Sequence, residues 1–262
     1  MSLHIVVCVK LVPDPEAPPT SVEVDEENMQ VFTRGVSPVI NSFDESALEA
    51  AIRIKEAAGG KITLLSAGKS LSQAVILKAL AAGADEAVLV EDNEIETDSL
   101  NSWSTAAILA HAIKQHIEDF DLVLCGRQAA DTNAGQVGLG LSTFLEVPAV
   151  TLAQRVEKKE GDIEVERVLA DGYEVVIASS PVLVTVSGEL GELRFPSIQA
   201  IKAAKKLPQK KLSLQDLAIE QIPPKVQTFK LATPSREREC KFIEEDAPED
   251  AGRKLARLVP LE

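Results

Sequence analysis

The sequence predicts an α/β fold: a parallel-sheet, three-layer sandwich with an antiparallel extension and a C-terminal arm. Three observations predict it. Largely apolar runs at residues 3–9, 61–66, 87–90 and 122–125 alternate with segments of helical period as far as about Val150. Runs without polar alternation mark strands buried on both faces, and their alternation with helices calls for parallel pairing. Beyond Val150 the rhythm changes to short strands separated by turns, as an antiparallel hairpin region requires.

Taken in order, residues 3–9 form a central strand, which Pro13 and Pro15 end because proline cannot continue a central ladder. Residues 22–24 and 30–32 read as a short hairpin. Asn41 or Ser42 caps a helix with Glu45 as capping-box partner, and Gly59-Gly60 closes it. The strand 61–66 leads through Ala67-Gly68-Lys69-Ser70 into a helix over 71–82, capped by Gly83, and then the strand 87–90. An acidic loop, 91–98, precedes a helix over 99–116. The strand 122–125 passes through a polar loop, 127–133, into a helix rich in small residues that ends near Glu146, with Asp131, Thr132 and Asn133 as candidate caps. Strands follow at 151–156, 164–169, 174–178 and 182–186, the last read as part of the antiparallel extension. After about Leu190 core signals weaken. A short helix at 213–217, a breaker at Ile222-Pro223-Pro224 and an amphipathic helix over 247–258 suggest an arm that lies on something else. The division expected is an α/β domain over 1–190 and a loop and arm over 191–262.

Composition narrows the function. Hydrophobic residues are 45% of the chain but aromatics only 3%, so the core must be aliphatic. A formal net charge of −14 argues against nucleic acid or an anionic membrane as the main partner. No apolar run approaches a transmembrane span, and the start runs directly into a strand, so a cytoplasmic protein without membrane insertion is expected. Cys8, Cys125 and Cys240 read as free thiols. His4, His111 and His116 form no metal-ligand or Ser-His pattern. The chain shows no catalytic constellation of its own, which leaves a cofactor-dependent protein or a binding module.

In parallel sheets ligands sit at the carboxyl ends of strands. Val9, Ala67 and Gly68, and residues 131–137 converge there. A strand, a polar loop and a helix start with small residues suit a phosphate, through free N–H groups and the helix dipole. The candidate nucleotide residues are Val9, Ala67, Gly68, Asp131, Asn133, Ala134, Gly135, Gln136 and Val137, with phosphates on the N–H groups of residues 134–137. Plainer readings stand beside these: Asp131 as a helix cap, Gly68 as a turn. Gln136 stands out as polar in a small, apolar helix start.

Several motifs in order resemble the electron transfer flavoprotein β-subunit family over essentially the whole chain. They are Val7-Cys8-Val9-Lys10-Leu11-Val12-Pro13-Asp14; Asn41-Ser42-Phe43-Asp44-Glu45, where Ser42 replaces the family proline; Ala79-Leu80-Ala81-Ala82-Gly83-Ala84-Asp85; the run from Asp121 to Asp131; and Asp171-Gly172-Tyr173-Glu174 through Pro181 to Thr185. The resemblance implies a Rossmann-like nucleotide-binding domain of the adenine nucleotide alpha hydrolase type. It also implies a heterodimer whose α subunit holds most of the FAD while the β-subunit arm wraps that partner. Electrons would arrive from acyl-CoA dehydrogenases of fatty-acid β-oxidation or similar flavoenzymes and leave to an electron transfer flavoprotein–quinone oxidoreductase. In the common type the β site holds a structural AMP; in the bifurcating type it holds a second FAD that accepts hydride from NADH. Gln136-Val137-Gly138 and Glu244-Glu245-Asp246 lean to the bifurcating pattern, while Thr132-Asn133 lacks its Gly-Asp. AMP is the first expectation. By the same resemblance Asn41 contacts the nucleotide, Ile198 anchors the dehydrogenase, and Glu174 assists that encounter. The other function class weighed is a stand-alone nucleotide-binding module of the universal-stress type, which has no reason to carry the arm.

Overall fold

A computed structural model describes residues 3–27, 29–95, 101–117, 119–219, 228–233, 240 and 242–258. The breaker at 222–224 and part of the acidic loop lie outside these. The strands and helices, in order, are β1 (His4–Cys8), β2 (Leu11–Val12), β3 (Val22–Asp25), β4 (Gln30–Thr33), β5 (Val39–Ile40), α1 (Ser42–Ala58), β6 (Lys61–Gly68), α2 (Gln73–Ala82), β7 (Glu86–Glu91), α3 (Ser102–His116), β8 (Leu122–Gly126), α4 (Val137–Leu145), β9 (Ala149–Lys159), β10 (Asp162–Leu169), β11 (Gly172–Ala178), β12 (Val182–Val186), α5 (Ile198–Ala204), β13 (Gln209–Leu212) and α6 (Pro248–Leu258).

The main sheet has nine strands in the order β11-β10-β9-β12-β8-β1-β6-β7-β13. From β9 to β13 neighbouring strands run parallel, whereas β10 and β11 add on antiparallel. Side chains alternate across a strand, so β1 serves two cores at once. Ile5 and Val7 join the layer with α1 and α2, and Val6 and Cys8 join the layer with α3. The expected three layers follow from this double burial. The largest fully buried side chains are all isoleucine or leucine, Leu48, Leu64 and Leu124 among them, as the scarcity of aromatics requires.

Four sequence expectations are corrected. Val182–Val186 is not part of the antiparallel extension; β12 slots between β8 and β9, parallel to both. Its five residues are all buried, and a strand buried on both faces belongs inside a sheet. Residues 193–219 do not lie apart: β13 pairs in parallel with β7, and Leu193, Ala204, Leu212 and Leu217 are buried. The adjacent lysines of β13 hide this, because at the edge of the sheet Lys210 and Lys211 both stay in water. Glu45 completes no capping box; it pairs with Lys78 at 3.2 Å, and Asn41, the N-cap of α1, makes no side-chain cap bond. α3 begins at Ser102, where Asn101 accepts from the Ser104 N–H at 3.2 Å.

Two compact units are distinguished, Met1–Leu231 and Ala232–Glu262. The second contains α6, which has no buried residue; its Leu255 and Leu258 are exposed. No described helix is long and apolar enough to cross a membrane.

Candidate functional site

A cavity of about 470 Å³ opens at the carboxyl ends of β1, β6 and β8. Val9 and Lys10 line it from β1, Ala67 and Gly68 from β6, and Gly126 and Arg127 from β8. The start of α4 closes one side with Ala134, Gly135, Gln136 and Val137, and α3 and the β3–β4 hairpin supply apolar wall through Ile108, Leu109, Val31 and Phe32. Of the residues singled out in the sequence, Val9, Asn41, Ala67, Gly68 and residues 134–137 therefore lie together on one wall system.

Asp131 and Asn133 flank Thr132, which lines the cavity, and have other partners. Asp131 receives the Lys10 ammonium through both oxygens, at 2.9 and 2.7 Å. Asn133, in the left-handed region at φ 52°, accepts from Gln128 Nε2 at 2.8 Å. Neither residue, nor Thr132, caps α4, which corrects that expectation. The N-cap is Gln136, with no side-chain cap bond. The reason is backbone conformation: Asn133 and Gly135, at φ 52° and 63°, interrupt any helical path before Gln136. The first N–H groups of a helix have no intrahelical acceptor, so those of α4 face the cavity end uncapped by side chains.

The loop after β8 is held from below. Asn41, only 1% exposed, donates from Nδ2 to the Gln128 carbonyl at 2.8 Å and accepts at Oδ1 from the Ala130 N–H at 3.0 Å. Both polar atoms of this amide are thus engaged by the loop, so Asn41 positions the wall it helps to line. Arg127 stacks its guanidinium 4.8 Å from the centroid of Phe43, and its buried Nε has no acceptor among the described residues. Uncapped N–H groups, an orphaned guanidinium nitrogen and Lys69 form a donor set for an anion, and the aliphatic and phenyl wall suits a flat ring system. The residues present fit a phosphorylated ligand carrying a heterocycle. Cys8 and Cys125 border the cavity, but burial pushes both thiols well up, so they are neutral and unreactive.

Sequence reasoning missed Asp44, Arg127, Gln128 and the hairpin wall. Arg127 carried a signal: it is the first side chain after the β8 run and the only cation of its loop. Asp44 carried none, because an acidic residue in a first helical turn is what the dipole favours anyway.

A family model described as electron transfer flavoprotein domain matches residues 29–217. The chain belongs to the β-subunit family of electron transfer flavoproteins. Similar proteins include the electron transfer flavoprotein subunit beta of Thermoanaerobacterium thermosaccharolyticum, 38% identical over 83% of this chain and 81% of that one. The corresponding subunit of Syntrophomonas wolfei is 32% identical over 99% and 96%. Caffeyl-CoA reductase-Etf complex subunit CarD of Acetobacterium woodii is 35% identical over 79% and 76%. Membership gives the chain a role in electron transfer and an α-subunit partner.

The two residues for which the sequence resemblance implies partner docking lie on the surface. Ile198 opens α5 and is 74% exposed, beside Ser197, whose hydroxyl caps the helix at 3.1 Å from the Ala200 N–H. Phe195, three residues earlier, is 90% exposed. Their loop is fixed by Arg194, which grips the buried Glu49 from its backbone N–H, Nε and Nη2 at 3.2, 3.0 and 2.9 Å. Glu174, on β11, pairs with Arg167 at 2.6 Å.

Proposed function

We propose that this chain, joined to its α subunit, passes electrons from acyl-CoA dehydrogenases or similar flavoenzymes to a quinone oxidoreductase, and that its own cavity holds a structural AMP. FAD, held mainly by the α subunit, supplies the redox chemistry. This chain's residues bind the nucleotide, stiffen the subunit and dock partners. The observation that carries the nucleotide reading is the donor set at the β8–α4 turn: uncapped helix N–H groups and the unpaired Arg127 Nε around one cavity. Ile198 is the docking anchor, and Glu174 assists the encounter.

The second reading is a second FAD in the same cavity with NADH as electron donor. The Val31–Phe32 wall favours it, since it extends apolar surface past the phosphate end, as does the likeness to a caffeyl-CoA reductase–Etf subunit. Denaturing the purified heterodimer and identifying what is released decides between them. One AMP per heterodimer is expected. Two FAD and no AMP would establish the second reading, and release of neither AMP nor a second FAD would refute both. Gly135→Val, which strains a φ of 63° and fills the phosphate end, should empty the site.

A further inference from the structure

Beneath the cavity lies a carboxylate that no part of the proposed function uses. Asp44, in the first turn of α1, is 5% exposed. Its Oδ2 accepts from the Lys10 N–H at 2.8 Å and its Oδ1 from the Gly126 N–H at 2.7 Å. Those two N–H groups lie where β1 and β8, neighbours in the sheet, stop pairing: the ladder runs to Val7 opposite Leu124. One carboxylate thus bridges the two chains where backbone pairing ends. It does so at the base of both cavity walls, because Lys10 carries the ammonium held by Asp131 and Gly126 leads into Arg127. The seat is tight. A Cβ on Gly126 would fall 2.6 Å from Asp44 Oδ1.

We propose that Asp44 is a positioning residue for the nucleotide: its ionised carboxylate clasps the loops after β1 and β8 in their binding arrangement, and adding a proton to it opens the clasp and releases the nucleotide. The inference rests on the nucleotide reading of the cavity. Each N–H group has its own oxygen, Lys10 on Oδ2 and Gly126 on Oδ1. Protonation turns one of these oxygens into a hydroxyl, which donates and accepts far more weakly than a carboxylate oxygen, so one of the two N–H bonds loses its charged acceptor. The groups facing Asp44 are the Cys8 and Cys125 thiols, the Lys10 ammonium and the Asn41 amide, with Arg127 stacked on neighbouring Phe43. The thiols are neutral, and no lysine or arginine forms an ion pair with Asp44 among the described residues, whose ion pairs lie elsewhere. Burial pushes the carboxyl up, the N–H bonds from Lys10 and Gly126 pull it down, and the balance leaves it at about 6.

The direction of the linkage makes the proposal separable from acid unfolding. A carboxyl raised in the folded state favours the fold when protonated. Its contribution is full below the ordinary aspartate value and is lost as pH rises through about 6. Acidification from pH 7 to 5 therefore opens the clasp without weakening the fold through this group.

The test is equilibrium dialysis of AMP against the full chain from pH 8 to 5, for wild type and Asp44→Asn, with urea denaturation at each pH. The phosphate of AMP itself titrates near pH 6, so the quantity read is the ratio of the two affinities at each pH. Wild-type affinity should fall about tenfold more than that of Asp44→Asn between pH 7 and 5, as expected one unit below a pKa of about 6. The Asp44→Asn chain should bind weakly throughout, and wild-type unfolding free energy should show no matching step. Parallel profiles, or a matching loss of stability, overturn the proposal. A ligand-free readout covers both a variant that fails to fold and a cavity that takes no AMP at pH 8, the latter being the failure of the nucleotide reading. It is the hydrogen-exchange protection factors of the Lys10 and Gly126 amides in the wild-type chain. A drop across pH 7 to 5 upholds the clasp, and constant protection overturns it.

Discussion

Gly126→Ala adds one methyl group where the structure has no room for it. The new Cβ would sit 2.6 Å from Asp44 Oδ1, 2.6 Å from Phe43 Cβ and 2.9 Å from the Phe43 carbonyl carbon. Carbon atoms in contact prefer about 3.5 to 4.0 Å, so β8 and the start of α1 must part by about 1 Å. The helix cannot yield cheaply, since Ala47, Leu48 and Ala51 on its inner face are wholly buried. Overpacking of this kind costs about 1–3 kcal/mol. The same displacement stretches the Gly126 N–H bond to a charged acceptor, a class of interaction contributing about 1.5–3 kcal/mol. Together they give a loss of about 3 kcal/mol, on the order of a hundredfold in the folding equilibrium. Urea denaturation with unchanged m-value is the assay. Gly252→Ala is the control: nothing lies within 4 Å of its added methyl, so the main transition should keep its midpoint. A Gly126→Ala midpoint within about 0.5 kcal/mol of wild type would show that α1 and β8 are not in the close contact described, and the account of the cavity floor would fall with it.

Two further outcomes are expected. Burial pushes the Glu49 carboxyl up, but the hydrogen bonds from Arg194 and Arg53 outweigh it and hold the group below the usual range. Its stabilising contribution is therefore present above the ordinary glutamate value of about 4.3 and is lost as pH falls through the depressed one. Glu49→Gln should lower stability at pH 7 and remove part of the acid dependence below about pH 4.3, read from denaturation midpoints against pH; an unchanged acid limb would contradict the Arg194 clamp. Ile198→Ala should weaken docking of the dehydrogenase about thirtyfold, the effect of losing an anchor worth about 2 kcal/mol, with bound cofactors unchanged; wild-type electron transfer at limiting carrier concentration would exclude Ile198 as the anchor.

The sequence by itself determined the main strands and helices of the first 150 residues, because a strand buried on both faces is largely apolar, as residues 122–125 are; the two-residue strands β2 and β5 left no such signal. It also pointed to the strand ends, where the cavity lies, and its motifs carried the family. It did not reveal which strand lies beside which. β12 reads like its antiparallel predecessors, yet it sits between β8 and β9; β13 reads as a polar tail, yet it extends the sheet beside β7. Nor did it reveal what Asn41 and Asp44 do. Both occupy the start of α1, where caps and acids are ordinary, and local rules explain them fully. Only folding brings Gln128 and Ala130 to Asn41, 87 and 89 positions away, and Gly126 to Asp44, 82 positions away. The physical reason is the same in each case. Apolar periodicity is a local property written along the chain, whereas the partner of a strand edge or of a buried polar atom is decided by whichever distant backbone arrives to satisfy it.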